Sequence, residues 1–387
     1  MKKLAIITSH PIQYNAPLFR LLTERNRLQL KVFYTWGQTQ DGQVYDPDFK
    51  KSFSWDIPLL EGYDKEFVEN VSAQPGAGHF KGIQNKNLIQ KIEQYNPDAL
   101  LVFGWSFKSH LEVLRFFSGK KKILFRGDSN LLDEPQGFSF KKLLRRSFLK
   151  WVYRHIDFAL YTGAANKDYY LKHGLLASQL MYAPHAVENE RFYEQPALNY
   201  EQQAEQWRKE LGIGSDCFVF LFAGKWEPKK DPLLLLEAFS SIKNKELRLI
   251  MVGDGVLKEQ VKKIAASDER VTLLGFQNQQ KMPVVYRLGD VFVLPSAGPG
   301  ETWGLSVNEA MACSRPVIVS SKCGCAADLV KGNGFVFEAQ NKNSLVKAML
   351  SFVGQNGEYQ TKSSTSKTII QQFTHEQIAA CVEEVVV

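Results

Sequence analysis

Residues 291–311 read VFVLPSAGPGETWGLSVNEAM and contain, in order, an apolar run, a loop rich in proline and glycine, and a helix-forming segment. The apolar run Val291–Leu294 is typical of a buried parallel strand, because such strands are covered on both faces. A strand, a loop and a helix in this order form one repeat of an α/β domain with a parallel sheet. The stretch therefore predicts the class of fold to which the rest of the chain belongs.

The same alternation of strand-like runs and helix-length spacers occurs in two series along the chain. The strand-like runs of the first series are Leu4–Thr8, Leu28–Tyr34, Ala99–Phe103, Lys122–Phe125 and Phe158–Tyr161. Those of the second series are Phe218–Ala223, Arg248–Val252, Val271–Leu274, Val291–Leu294 and Pro316–Val319. Two such series predict an α/β protein with two Rossmann-like, doubly wound domains that face each other across a cleft.

A polar stretch rich in Gln and Glu, residues 194–214, separates the two series. We place the domain boundary near residue 198, which gives a first domain over 1–198 and a second over 199–370. Residues 371–387 are expected to form a C-terminal helix that can cross back to the first domain, after a Ser/Thr/Lys-rich loop at 361–368.

Composition limits the class of protein. The chain has 387 residues, of which 44% are hydrophobic and 23% charged, and these values exclude wholesale disorder, collagen and coiled coil. Five cysteines without framework spacing indicate a reduced, cytosolic protein. The apolar run at the N-terminus is too short for a signal peptide, and no window approaches the ~18 apolar residues that a membrane span needs. We therefore expect a cytoplasmic protein.

The loop and helix at residues 298–311 form a candidate phosphate site. The first backbone N–H groups of a helix are unpaired, and the helix dipole is positive there, so this junction favours an anion. Glu301 in the loop and Glu309 in the helix would flank the anion. Carboxylates accept hydrogen bonds from sugar hydroxyls, so these two residues can hold the two carbohydrate parts of a nucleotide sugar. The alternative is that both are ordinary solvated glutamates.

A second cluster follows the strand-like run at Phe218–Phe222 and reads AGKWEPKKD over residues 223–231. Ligands of open α/β sheets bind at the carboxyl ends of the strands, where this cluster lies. Lysines there would neutralise a diphosphate as point charges. The alternative is a solvated lysine-rich turn.

Together these segments resemble glycosyltransferase family 4, whose members have the GT-B fold. The resemblance covers about residues 218–338. It depends mainly on Glu301 and Glu309, which have the spacing of the family's Glu-x7-Glu motif, with Trp303-Gly304-Leu305 where Phe-Gly-Leu is common. Further similar segments are Gly224-Lys225 with Lys230, Gly253-Asp254-Gly255, Leu274-Gly275-Phe276, Tyr286-Arg287, residues 290–296, residues 309–318 and, at the end of the first domain, residues 183–188.

The resemblance implies a retaining transfer from a nucleotide-diphosphate sugar, UDP- or GDP-linked, with no metal and no other cofactor. Lys225, which replaces the usual Arg, and Lys230 would hold the diphosphate and stabilise charge on the leaving group. Glu301 would orient the donor sugar, and Glu309 would bind the ribose hydroxyls. The remaining residues that the resemblance assigns to donor binding are Gly224, Gly253, Phe276, Thr302, Trp303, Gly304 and Leu305, the last two through their N–H groups.

The first domain departs further from the family pattern. Its first loop, Ser9–Asn15, replaces the glycine-rich loop of many members, and it offers His10, Gln13 and Tyr14 as candidates to contact donor or acceptor. A further candidate of this kind is His185, in the segment at residues 183–188. Where many members place a His after the strand corresponding to Ile123–Phe125, this chain has Arg126-Gly127-Asp128. Arg126 or Asp128 would then lie by the anomeric carbon, and the sequence does not choose between them.

The net charge of +7 has a local origin, since residues 101–150 hold 11 Lys and Arg against 4 Asp and Glu. Within this region, basic and apolar residues alternate at helical spacing over 138–154. One interpretation is an amphipathic helix that rests on anionic lipid. The other is a core-facing helix with a basic outer face. We favour the membrane, because family 4 enzymes often act on lipid-linked acceptors, and no nucleic-acid recognition fold accompanies the charge.

Two short motifs resemble metal-binding sites, but the sequence around each gives little support for a metal. Asp46-Pro47-Asp48 has the form of the Asp-x-Asp motif of other glycosyltransferases, but no apolar strand leads into it. Cys323-Gly324-Cys325 has no second pair or His cluster beside it, which argues against zinc.

The leading hypothesis is a retaining glycosyltransferase that builds a surface polysaccharide or glycolipid on a glycan or lipid-linked acceptor. We expect it in the cytoplasm or peripherally on the inner face of the cell membrane. The alternatives are a nucleotide-sugar 2-epimerase or a phosphorylase of the same fold, and a two-domain protein that binds a nucleotide sugar without chemistry.

Overall fold

The computed structural model describes residues 1–37, 43–46, 51–135, 137, 139–353 and 356–387. The chain divides into two compact units. The first unit comprises Met1–Tyr45, Ser52–Pro184 and His375–Val387, and the second comprises Asp46–Lys51 and His185–Thr374. The main division lies between Pro184 and His185, earlier in the chain than the boundary expected near residue 198. The last strand of the first sheet ends at Tyr182, and the second unit begins three residues later.

The first unit contains a seven-stranded sheet in the order β5-β2-β1-β6-β7-β8-β9, in which every neighbouring pair is parallel. A separate two-stranded sheet pairs β3 with β4. The strands are β1 (Lys2–Thr8), β2 (Leu28–Tyr34), β3 (Gln43–Asp46), β4 (Lys51–Ser54), β5 (Lys65–Phe67), β6 (Ala99–Phe103), β7 (Lys122–Arg126), β8 (Phe158–Tyr161) and β9 (Leu180–Tyr182).

The helices of the first unit connect these strands, apart from the last, which comes from the end of the chain. They are α1 (Ala16–Glu24), α2 (Leu88–Tyr95), α3 (Lys108–Phe117), α4 (Phe140–Tyr153), α5 (Ala164–Lys172) and α15 (His375–Val386). Helix α15 is held by a bidentate ion pair in which Arg25 Nε and Nη2 donate to the buried carboxylate of Glu383, each at 2.7 Å. Among the described helices, none is long and apolar enough to span a bilayer.

The second unit contains a six-stranded sheet in the order β12-β11-β10-β13-β14-β15, again parallel throughout. Its strands are β10 (Phe218–Ala223), β11 (Leu247–Val252), β12 (Val271–Leu274), β13 (Val291–Leu294), β14 (Val317–Ser320) and β15 (Gly334–Phe337). Its helices are α6 (Asn189–Phe192), α7 (Tyr200–Glu210), α8 (Pro232–Ser241), α9 (Lys258–Ala265), α10 (Met282–Arg287), α11 (Leu305–Ala312), α12 (Ala326–Leu329), α13 (Lys342–Leu350) and α14 (Asn356–Ile370).

The apolar runs of the sequence form the centres of both sheets. In the second unit, the core joins residues of β10, β11 and β13 to the inner faces of α8 and α13, with Phe220, Phe222 and Phe239 fully buried. Each such side chain stabilises the fold by about 1.5–3 kcal/mol relative to exposure. The strands are therefore rigid supports, and the loops at their carboxyl ends are held in fixed places.

The Ser/Thr/Lys-rich segment 361–368 is helical, so the expectation of a loop was wrong. It forms the second half of α14. The hydroxyls of Ser364, Thr365 and Thr368 each donate to the carbonyl four residues earlier. The hydroxyls thus find their acceptors within the helix and do not draw the backbone into another conformation. Ser366 is buried and accepts a hydrogen bond from Asn333.

Candidate functional site

Four loops of the second unit carry most of the predicted site residues, and they follow four strands that are neighbours in the sheet. Gly224 follows β10, Gly253 follows β11, Phe276 follows β12 and Glu301 follows β13. Because the strands are parallel, all four loops leave from the same edge. The sheet order β12-β11-β10-β13 thus brings residues together that are far apart in the sequence.

The junction between β13 and α11 begins with a buried polar pair. Glu301 is buried, and its Oε2 accepts a hydrogen bond from Ser296 Oγ at 2.9 Å. Gly304 precedes the first residue of α11 with φ of 103°, a conformation that L side chains rarely adopt. A Cβ at Gly304 would also lie 2.8 Å from Leu294 Cδ2. The glycine therefore lets the helix start directly behind the glutamate.

Lys230 meets Glu301 across the two neighbouring loops. Lys230 lies in a short 3₁₀ turn, Pro228–Lys230, and its Nζ is 2.5 Å from Glu301 Oε2. The backbone N–H of Ala297 donates to the carbonyl of Lys229 at 2.9 Å, which joins the two loops. The structure thus brings together one carboxylate and one ammonium that were predicted to share a ligand.

Glu309 lies inside α11 and is also buried. Its Oε2 accepts a hydrogen bond of 2.6 Å from the hydroxyl of Tyr286, a fully buried residue of α10. The alternative of an exposed helix glutamate is therefore wrong, because this carboxylate is held in one orientation by a phenol.

Trp303 is connected to a residue that the sequence analysis missed, Asn308. The indole Nε1 donates to Asn308 Oδ1 at 2.8 Å, and Asn308 Nδ2 donates to the carbonyl of His185 at 3.0 Å. The rings of His185 and Trp303 are 5.3 Å apart. An Asn among the apolar residues of a buried helix face was the signal in the sequence, since such a side chain needs partners.

The loops after β10 and β11 touch through their backbones. A Cβ on Gly253, whose φ is 154°, would lie 2.0 Å from the carbonyl oxygen of Gly224. The N–H of Trp226 donates to the carbonyl of Asp254 at 2.9 Å, and the Trp226 side chain is buried. Gly253 is therefore required for close approach of two loops. Lys225, between these contacts, and Thr302 in the next loop are half-buried.

Arg126 of the first unit does not present its guanidinium to a ligand. It is buried, and Nη1 and Nη2 donate to the carbonyls of Ala183 at 2.7 Å and Pro184 at 3.0 Å. Burial lowers the pKa of Arg126 to about 10, so the group stays charged and bound to the main chain. Of the two alternatives after β7, the half-buried Asp128 is the one left as a candidate for substrate contact.

The loop after β1 is polar and half-buried at His10, Gln13 and Tyr14. His10 Nδ1 is 3.0 Å from Ser9 Oγ. Burial lowers the pKa of His10, which favours its neutral form. The carbonyl of Tyr14 is 3.0 Å from Nε2 of His375, so the start of α15 supports this loop.

Within the described part of the chain, no group of three or more His, Cys, Asp and Glu could hold a metal ion. Asp46-Pro47-Asp48 extends outside the described residues. Cys323 and Cys325 are buried, and burial raises the pKa of Cys323 to about 12, so this thiol is not poised as a thiolate ligand.

Helix α4 has apolar side chains on both of its faces. Leu149, Val152 and Tyr153 are buried. The opposite face exposes four large apolar side chains, Phe140 (66%), Leu143 (50%), Leu144 (56%) and Phe148 (41%). The exposed basic residues Lys141, Arg145 and Lys150 belong to the same helix. Helix α4 therefore exposes both basic and apolar side chains, and an ordinary core-facing helix does not need exposed apolar ones. Phe138 is not among the described residues.

Residues 203–368 match the family model described as glycosyl transferases group 1. Among curated proteins, the chain is 30% identical over 268 residues to the UDP-Gal:alpha-D-GlcNAc-diphosphoundecaprenol alpha-1,3-galactosyltransferase of Escherichia coli, covering 63% of this chain and 66% of the relative. It is 26% identical to the lipopolysaccharide 1,2-N-acetylglucosaminetransferase of Salmonella typhimurium, covering 46% of this chain and 50% of the relative. The chain thus matches between half and two thirds of the length of these relatives.

Solved structures cover nearly the whole chain. Anabaena Alr3699/HepE, crystallised with UDP and glucose, superposes with a TM-score of 0.70 at 19% identity over 99% of both chains. WaaG, a glycosyltransferase involved in lipopolysaccharide biosynthesis, gives 0.67 at 13% identity over 99% of both chains. With two Rossmann-like α/β units and these neighbours, the chain has the GT-B fold, and its similar sequences are those of glycosyltransferases.

Proposed function

We propose that the protein is a retaining glycosyltransferase that moves a sugar from a nucleoside-diphosphate sugar to a glycan or lipid-linked acceptor in surface polysaccharide or glycolipid synthesis. The observation that carries the proposal is the contact of Lys230 with Glu301 at the N-terminus of α11. The cation and the backbone N–H groups at the helix N-terminus suit the diphosphate of such a donor, and the carboxylate suits the hydroxyls of its sugar.

In the proposed mechanism, the diphosphate lies between Lys230 and the first N–H groups of α11. The Lys230 ammonium then stabilises the negative charge that develops on the leaving phosphate, the step at which such a contact contributes most. Glu301 accepts hydrogen bonds from the donor sugar and fixes its orientation. Glu309, oriented by Tyr286, accepts those of the ribose. Lys225, on the loop of Lys230, is the second cation for the diphosphate.

The acceptor hydroxyl attacks the anomeric carbon on the face from which the diphosphate departs, as the bond between that carbon and the phosphate oxygen breaks. The leaving phosphate takes the proton of the hydroxyl. Because attack and departure use the same face, the configuration at the anomeric carbon is retained. Asp128 is the residue of the first unit proposed to contact the acceptor or the reacting sugar. The lysines neutralise the diphosphate, and the proposal assigns no step to a metal or to another cofactor.

A uridine diphosphate sugar is the proposed donor. The name of the E. coli relative specifies UDP-Gal, and the Anabaena neighbour was crystallised with UDP and with UDP-glucose. GDP-linked sugars are the second class to be tested. The names of the E. coli and Salmonella relatives include the words diphosphoundecaprenol and lipopolysaccharide, respectively. These names support a lipid-linked acceptor for this chain.

We also propose that the outer face of α4 contacts an anionic membrane from the cytoplasmic side. Its exposed side chains Phe140, Leu144 and Phe148 can enter the headgroup region, and Lys141 and Arg145 can bind lipid phosphates. Such contact would place the enzyme where lipid-linked acceptors are found.

The proposed function is tested by thermal-shift screening with UDP-, GDP- and ADP-sugars, followed by an assay of the best ligand with and without acceptor. Ligand binding raises the melting temperature by mass action. A transferase releases nucleoside diphosphate with the acceptor and forms a product with the donor's anomeric configuration. An epimerase would interconvert the nucleotide sugar without acceptor, and a phosphorylase would need inorganic phosphate. Binding without any turnover would contradict the proposal in favour of a binding protein.

A further inference from the structure

Three consecutive backbone carbonyls are held by side chains where the chain passes from the first unit to the second. In the first unit, Arg126 donates to the carbonyls of Ala183 and Pro184. In the second unit, Asn308 donates to the carbonyl of His185 at 3.0 Å. Arg126 and Asn308 are both buried, so these hydrogen bonds face little competition from water.

Asn308 uses both ends of its carboxamide. Its Oδ1 accepts from Trp303 Nε1 at 2.8 Å while its Nδ2 binds His185. Asn308 is 0% exposed and Trp303 3% exposed. A buried amide costs free energy unless its donor and acceptor are both satisfied. The side chain therefore joins the crossing segment, residues 183–185, to the donor loop, residues 301–305.

The main chain of the donor loop has supports of its own. The carbonyl of Glu301 accepts from Gly324 N at 3.2 Å, and the carbonyl of Trp303 accepts from Cys325 N at 3.0 Å. These bonds fix the backbone on one side, whereas the bond to Asn308 fixes the indole. Because Trp303 directly precedes Gly304, a rotation of the indole would disturb the first N–H groups of α11.

We propose that Asn308 is a positioning residue that locks the donor loop to the crossing segment through Trp303. The proposal rests on the proposed function for its effect on catalysis, because the donor loop is where the nucleotide sugar would bind. The Asn308 side chain binds Trp303 and His185. In this proposal, its effect on donor binding is transmitted through these two residues. Its loss should therefore loosen two segments that are more than one hundred residues apart in the sequence.

Hydrogen exchange of the ligand-free protein tests the lock without reference to activity. In Asn308→Ala, backbone amides of residues 183–187 and of 300–306 should exchange about tenfold faster or more, the effect of losing buried hydrogen bonds. The matched control is Asn333→Ala. Asn333 is also 0% exposed, and it donates to Ser366 Oγ at 3.1 Å and accepts from Lys331 N at 2.9 Å. In this control, neither segment should change.

Donor kinetics test the consequence for catalysis. Asn308→Ala and Trp303→Phe, which keeps an aromatic ring but loses the N–H, should each lower kcat/KM for the donor about tenfold, and the double variant should be no worse than the poorer single one. Asn333→Ala should keep the wild-type kcat/KM even where its melting temperature falls. Unchanged exchange in both segments of Asn308→Ala would overturn the inference. Faster exchange in Asn308→Ala, together with a wild-type protein that binds no nucleotide sugar, would support the lock and contradict the proposed function.

Discussion

Lys230 Nζ lies 2.5 Å from Glu301 Oε2, and the two side chains are 17% and 8% exposed. They come from loops after β10 and β13, two strands that are neighbours in the second sheet. A carboxylate buried to this degree needs a charged partner or several hydrogen bonds. The pair therefore holds both side chains in place beside the N-terminus of α11 before a ligand arrives.

The variant Lys230→Met tests separately what the Lys230–Glu301 pair contributes to the stability of the protein and to its activity. The variant leaves the Glu301 carboxylate with Ser296 as its hydrogen-bond donor, so the free energy of unfolding should fall on the order of 2 kcal/mol, and turnover should fall about 10²-fold or more. The double variant Lys230→Met with Glu301→Gln should regain most of the stability, because no buried charge is left unpaired, but none of the activity. Urea denaturation and initial rates measure the two quantities.

The control for that experiment is Lys229→Met in the same turn. The Lys229 side chain is 38% exposed, and its Nζ is 3.5 Å from Oε1 of Glu227, which is 17% exposed. An ion pair this long and partly open to solvent contributes little. Turnover should stay within about threefold of wild type. Recovery of activity in the double variant of Lys230 and Glu301 would refute their proposed roles.

Glu309→Gln should weaken the binding of the nucleoside diphosphate about 10- to 100-fold, since a charged hydrogen bond to the ribose is lost. Binding of UDP and of 2′-deoxy-UDP is compared by calorimetry. The wild type should discriminate strongly between them, and the variant should hardly do so. Tyr286→Phe, which removes the donor to Glu309, should give an intermediate discrimination. Equal discrimination by wild type and Glu309→Gln would show that this carboxylate does not contact the ribose.

His110 makes the fold sensitive to acid. It is 0% exposed, its Nδ1 is 3.0 Å from the carbonyl of Phe103, and its Nε2 is 2.9 Å from Thr35 Oγ1. Burial lowers the pKa of His110 from 6.5 to about 4. Because the folded state resists protonation, this contribution is complete above about pH 6.5 and is lost as the pH falls towards 4.

The measurement is urea denaturation at pH 8 and pH 5. Between these values, the wild type should lose on the order of 2 kcal/mol more unfolding free energy than His110→Gln, which has no titratable ring. An equal loss in both proteins would mean that the acid sensitivity arises elsewhere, for example at His173, whose pKa burial also lowers.

The outer face of α4 should bind anionic vesicles. Wild-type protein should float with vesicles that contain phosphatidylglycerol, and less so at high salt, because screening weakens the contact of Lys141 and Arg145 with lipid. Leu144→Gln with Phe148→Gln should reduce binding about tenfold or more. Leu176→Gln is the control, since Leu176 is 65% exposed but lies outside α4. Flotation that is absent in wild type, or equal in all variants, would contradict membrane contact through this face.

The central strands of both sheets were predictable from sequence because both faces of each are buried. Ala99–Phe103, Phe218–Ala223 and Val291–Leu294 have the same ends in the sequence prediction and in the structure. The edge strands β5, β9 and β15 were missed, and β15 has only four residues. The other two are shorter still. They have three residues each, and β5 contains two charged ones, so an apolar run is not required of them.

The contact of Lys230 with Glu301 was predictable from the residue types and their places in the sequence. Glu301, Glu309 and Lys230 are charged residues in loops or helices next to apolar strands, and opposite charges at one sheet edge are expected to interact. The partners of Asn308 and of Arg126 were not predictable. Both side chains bind backbone carbonyls of residues 183–185, and the sequence carries no sign of which carbonyl a distant side chain reaches.

The central claim is that Glu301 and its neighbours act on the sugar of a nucleoside-diphosphate donor. Its most direct test is the acceptor-dependent release of nucleoside diphosphate by wild type and by Glu301→Gln, with the binding of the same diphosphate measured in parallel. The account predicts release by wild type and a rate about 10²-fold lower in the variant, which should still bind the diphosphate. A Glu301→Gln protein that turns over at the wild-type rate would contradict it.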